Sequence, residues 1–156
     1  MSYRIMVKVL LIATVLNLTS INIPIYNSEL DSNDSGRITV KVENLKNNNG
    51  ALLISLFKNP NGYPEDWEAA YQYQIIPASD FSGNISFENI PYGSYAFAII
   101  HDENENLKLD RNLFGIPREG YAFSNNVRGR FGPPEYQLAV FELQTSEIKQ
   151  NIILIY

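Results

Sequence analysis

The chain has 156 residues, 45% of them hydrophobic and 12% aromatic, with a formal charge of −5. That is enough apolar material for one packed domain and excludes a globally disordered chain. The acidic balance excludes nucleic acid as a general partner, and the lack of cysteine excludes disulfides and a lipid-modified cysteine.

The first twenty residues, MSYRIMVKVLLIATVLNLTS, place Arg4 and Lys8 before an apolar run at 9–18, followed by Thr19 and Ser20. Charged, apolar, then small polar is the layout of a secretory signal peptide, predicted here for residues 1–20. The run is far shorter than the roughly 20 residues needed to cross a bilayer, so no membrane span is expected in the mature chain. With no A-x-A cleavage site, a buried helix or uncleaved anchor is the alternative reading of this segment. Losing Arg4 and Lys8 would take the charge from −5 to −7. The expectation is a bacterial protein that is secreted or periplasmic, at the cell envelope. Residues 21–36 lack a period and end in a polar cluster, as a tether does, leaving residues 37–156 as a single domain.

Ile38, Val40 and Val42 alternate with Thr39, Lys41 and Glu43, the period of a half-buried strand. KNNNG at 46–50 is a turn, and residues 51–58 form a nearly continuous apolar strand, so the pair reads as a hairpin. NPNGY at 59–63 breaks it. PEDWEAAY, with Pro64, Glu65 and Asp66 at the front, predicts about two helical turns. Trp67 and Tyr71 would share a face, with Trp67 plugging the end of the core. Strands are expected at 72–78, 84–90 and 95–101, the last apolar on both faces and therefore central. Tyr95, after Pro91 and Gly93, has the placing of a sandwich corner tyrosine whose hydroxyl ties back to nearby backbone. PPEYQLAVFEL at 133–143 reads as a helical turn becoming a strand, and EIKQNIILIY closes the chain as another. About seven strands with one short helix predict an all-β antiparallel β-sandwich carrying a long loop at 102–134.

That loop holds the candidate chemistry, since long loops in compact domains are usually functional or disordered. Counting Asp102 as position one of a calcium loop, oxygen donors follow at Asn104, Asn106 and Asp110, with the Lys108 carbonyl at position seven and Glu119 able to fold back. Leu107 stands where such loops carry glycine, and Leu113 where they carry a bidentate carboxylate. Binding would be weak, on the order of 0.1–1 mM. The competing account is a metal-free turn in which Asp and Asn bond their own backbone. No cofactor is required on either account. His101, the single histidine, is expected to bond a loop carbonyl or carboxylate. A small metal-assisted hydrolase would instead use it with Asp102, Asp110 or Glu119. Further on, Phe114, Tyr121 and Phe123 interleave with Arg118, Arg128 and Arg130. Aromatic faces beside guanidinium forks suit a glycan, peptide or envelope-protein surface, or else pin the loop to the sandwich edge.

The glycine–tyrosine strand start, the HDEN tetrad at 101–104, Asp110, the FGIP, EGY and FSNN segments and GPP at 132–134 carry a resemblance. From about residue 37 to 156 the chain resembles the bacterial domain-of-unknown-function 2141 family. The resemblance implies a small exported β-sandwich of prealbumin-like or immunoglobulin-like kind, with no established activity. That family usually has glycines where this chain has Glu105 and Leu107. Together these readings predict a non-enzymatic binding or accessory module, with a small hydrolase or a purely structural envelope protein as alternatives.

Overall fold

Alternation decides the layout. In the computed structural model, which describes residues 34–156, strands whose apolar residues recur every second position each bury one face in a shared core. The expected signal peptide and nearly all of the expected tether lie outside the described residues. Eight strands are present: β1 (Ser35–Glu43), β2 (Ala51–Phe57), β3 (Gln72–Pro77), β4 (Asn84–Pro91), β5 (Gly93–Asp102), β6 (Gly120–Phe123), β7 (Phe141–Leu143) and β8 (Glu147–Ile153). One helical turn, α1 (Tyr136–Ala139), precedes β7.

The strands form two sheets, ordered β4-β1-β8 and β3-β2-β5-β6, with β7 beside the first half of β5. Every pairing is antiparallel except β1 with β8, which run parallel. The chain is an all-β sandwich. Ile38, Val40 and Val42 from the first sheet meet Leu52, Ile54, Leu56, Phe97 and Ile99 from the second, all buried. Each such side chain contributes about 1.5–3 kcal/mol on burial. The Tyr95 hydroxyl donates to the Pro91 carbonyl at 2.7 Å, the corner tie expected from its spacing.

Four local expectations are corrected. β1 and β2 do not pair as a hairpin: β1 is the middle strand between β4 and β8, while β2, apolar on both faces, sits between β3 and β5 in the other sheet, so the 46–50 turn crosses between sheets. The 102–134 loop is interrupted by β6, which pairs with the second half of β5 and bridges Tyr121 to Ile155. Four residues are too few for an alternation to register. The 64–71 helix is a single 3-10 turn at Trp67–Ala69, because Ala70 already returns to extended backbone. Trp67 consequently does not plug the core. It turns toward the outer face of the second sheet and meets Tyr73 edge-on, with ring centroids 4.9 Å apart.

Candidate functional site

Sheet pairing places the site. Residues paired across an antiparallel sheet project from the same face, so Ile75, Leu53, Ile100 and Tyr121 make one row over four strands. Tyr73, Ser55, Ala98 and Phe123 make the next. Both rows lie on the face turned away from the main core. The middle of the second row is small and its ends are aromatic, which leaves a trough. Leu53 and Ser55 are each only 3% exposed, so the floor is covered.

Its cover is made of loops. Pro64, Glu65 and Trp67 stand on one side, and Leu107, Lys108, Leu109 and Arg111 on another, around a cleft of about 330 Å³. The lining is mainly apolar, as in small-ligand sites. Arg111 and Glu65 form an ion pair, tying the two covering loops together. Pro133 joins this cleft to a second depression of about 500 Å³, walled by Phe114, Ile116, Arg130 and Phe131. Beside the trough, Phe57, Ala98 and Phe123 form a small second core with Tyr63 and Tyr136 packed against it. Burial raises the Tyr63 and Tyr136 phenols above the usual range.

The expected contact residues divide. Tyr121 and Phe123 line the cleft, and Phe114 and Arg130 line the adjoining depression. Arg128 lies beside Ile153 and Ile155 at the other side of β6. Arg118 is exposed, and its backbone N–H bonds the Asp110 carbonyl at 2.8 Å. Leu53, Ser55, Ala98 and Ile100 had not been singled out. The signal was present in a β2 apolar on both faces and in the small Ala98 of a central strand, but only the register lines them up.

The acidic half of the loop is closed by its own hydrogen bonds. Asp102, fully buried, accepts from the Asn106 N–H at 3.1 Å and the Leu107 N–H at 2.7 Å. Asn104 Oδ1 accepts from the Asn106 N–H and Asn106 Oδ1 from the Lys108 N–H. Those bonds aim both amide NH₂ groups at Asp110, at 2.7 and 3.1 Å. Glu119, 4% exposed, braces the loop base by accepting from the Glu103 and Asp110 N–H groups. Among the described residues no three His, Asp or Glu side chains gather to hold a metal ion. A calcium ion needs oxygens where Asn104 and Asn106 present N–H, so the donor set as arranged does not fit one. Glu105 and Leu107 both have positive φ, +60° and +62°, in the left-handed region that glycine adopts freely.

His101 is fully buried. Its Nε2 lies 2.8 Å from the Asn49 carbonyl and its Nδ1 2.7 Å from the Tyr156 hydroxyl. The ring therefore bonds a loop carbonyl, as expected, and both nitrogens are engaged away from Asp102, Asp110 and Glu119. The SNN triplet is equally committed. Ser124 Oγ donates to the Ala139 carbonyl, Asn125 to the Ala139 and Val140 carbonyls, and Asn126 to the Asn151 carbonyl while accepting from the Ile153 N–H. The polar motifs of the loop staple it to the sandwich.

Residues 40–151 match the bacterial family described as "Uncharacterized protein conserved in bacteria (DUF2141)". The chain belongs to this family. No curated protein and no solved structure matches it. In this family member the HDEN and FSNN motifs coincide with the staples, whereas the cleft is lined largely by residues outside them. No helix among the described residues is long and apolar enough to cross a membrane.

Proposed function

We propose that this chain is an exported, non-enzymatic binding module of the cell envelope, and that its ligand site is the outer-face cleft. The ligand would present an apolar group to Leu53, Ser55 and Ala98 and an anionic group to Lys108 and Arg111. The observation carrying this reading is the covered apolar trough itself, with few polar groups, two of them cationic. A purely structural protein would need no such cavity beside the aromatic loop. A hydrolase would need His101 and the carboxylates to meet within about 3 Å of a common point, and His101 is bonded elsewhere. No cofactor enters the reading.

The test uses anilinonaphthalene sulfonate, a probe with an aromatic body and an anionic group. One equivalent is expected to bind, and Trp67, the sole tryptophan and part of the lining, reports it by fluorescence. Ser55→Leu would fill the floor and abolish binding while far-UV circular dichroism stays that of the parent. Equal binding by parent and folded Ser55→Leu would refute the cleft as the site.

A further inference from the structure

We propose that the tips at residues 113–116 and at Phe131 form a contact surface for an anionic lipid bilayer. Leu113 is 101% exposed, Phe131 97%, Phe114 88% and Ile116 59%. Single exposed hydrophobics are ordinary. Four on two loops that wall one depression are a concentrated apolar surface, which marks an interaction site.

The first tip is a built hairpin. Arg111 and Pro117 bridge its base, the Asn112 N–H bonds the Ile116 carbonyl at 2.9 Å, and the Gly115 N–H bonds the Asn112 carbonyl at 2.9 Å. Asn112 Oδ1 accepts from the N–H groups of Phe114 and Ile116, at 2.9 and 3.1 Å. Four backbone donors at the tip are thus satisfied internally. This matters for a bilayer, because a backbone donor carried unpaired into an apolar medium is costly.

Charge points to the same partner. Between residues 111 and 134 lie four arginines and one acid, Glu119, in a chain of net charge −5. Glu119 is buried and spent on backbone N–H groups. Arg118, Arg128 and Arg130 form no ion pair among the described residues. Arg130 lines the depression between the tips and Arg118 follows the hairpin base, while Arg128 lies at the other side of β6. Apolar tips flanked by unpaired cations are the arrangement of interfacial binders, in which the tips enter the acyl boundary and the cations meet lipid phosphates. A protein partner would need a broad, shape-matched face, whereas the apolar surface here is confined to two short loop tips. The tips are not part of the cleft lining, so this inference stands apart from the ligand reading.

The full chain would be tested with vesicles of phosphatidylglycerol and phosphatidylcholine, using brominated lipids as quenchers. Phe114→Trp and Phe131→Trp are each expected to shift blue and be quenched on anionic vesicles, beyond the signal of Trp67. Ile153→Trp, exposed on the other sheet, should not change. Replacing Leu113, Phe114 and Phe131 together by Ser should lower tip-dependent binding at least tenfold, and Arg118→Glu with Arg130→Glu should do the same. Tip tryptophans that stay in water overturn the proposal even if residues 9–18 hold the chain on the vesicle. Equal quenching on pure phosphatidylcholine also overturns it. So does lipid-free self-association that the triple Ser variant abolishes, which would assign the tips to a second copy.

Discussion

The Tyr156 hydroxyl and His101 Nδ1 lie 2.7 Å apart, joining the last residue of the chain to the end of the central strand. The Asn49 carbonyl at Nε2 can only accept, so Nε2 carries the ring proton and Nδ1 is the acceptor. Tyr156 therefore donates to His101, and its oxygen accepts from the Lys46 N–H at 3.0 Å. A run of three bonds links the 46–50 connection between the two sheets, β5 and Tyr156.

Tyr156→Phe keeps the ring and deletes two of the three bonds, stranding a buried Nδ1. The expected loss is about 1–2 kcal/mol, seen as a drop of several degrees in melting temperature, with a change in the imidazole nitrogen resonances. Gly120→Ala attacks the same contact sterically, since its Cβ would stand 2.6 Å from the Tyr156 ring. Tyr156→Ala should recover part of the stability lost by Gly120→Ala. Simple additivity of the two losses would exclude this contact as the cause.

Asp102→Ala removes the acceptor of the Leu107 N–H and one of the two acceptors of the Asn106 N–H, and should cost about 1–3 kcal/mol. Because the loop is held by its own bonds, that loss should be equal in chelator and in millimolar calcium. A melting temperature that rises with calcium in the parent chain, but not in Asp102→Ala, would show the amides of Asn104 and Asn106 turning over to hold an ion. Glu105→Gly, at an exposed position with φ +60°, should stabilise by up to about 1 kcal/mol by relieving a left-handed non-glycine.

Glu103 and Tyr95 contribute to opposite pH limits. The Asn47 hydrogen bond, with Lys46 nearby, lowers the Glu103 carboxyl below its usual 4.5. A depressed carboxylate stabilises the fold above that value, and the contribution is lost as pH falls through the lower folded value. Burial pushes the Tyr95 phenol from its ordinary 10.0 up to about 12. Its contribution is complete below 10 and is lost as pH rises through about 12. Urea midpoints across pH should therefore fall at both ends, with Glu103→Gln reducing the acid limb alone and Tyr95→Phe the alkaline limb alone. Each reduction is partial, because Glu147 is also lowered and Tyr63, Tyr136 and Tyr156 are also raised.

The sandwich was legible because strand alternation in β1 and β4 and the two-sided β5 are local patterns with one physical reading. Tyr95 and His101 were legible too, as residues whose spacing and burial force a backbone partner. The cleft was not. Ser55 and Ala98 are unremarkable in sequence, and only the β2–β5 register sets them side by side. Trp67 was misplaced because a helical reading of 64–71 fixed its face, whereas the chain leaves the helix after one turn and Tyr73 supplies the better surface. Arg118 and Phe114 were grouped by proximity in sequence, and the hairpin at 111–117 separates them.

The ion pair between Arg111 and Glu65 gives the cleft its last testable property. Glu65 neutralises one of the two cations proposed to receive an anionic group, so it competes with the ligand for Arg111. Glu65→Gln should strengthen anilinonaphthalene sulfonate binding about two- to fivefold, the change expected from an exposed ion pair worth under about 1 kcal/mol. Lys108→Glu should weaken it by a similar factor or more. Both effects should shrink as salt rises from about 0.05 to 0.5 M, since these side chains are screened by solvent. An uncharged naphthalene probe should respond to neither substitution. If it responds equally, the covering loops shape the apolar cavity without selecting charge, and the anionic half of the ligand assignment falls.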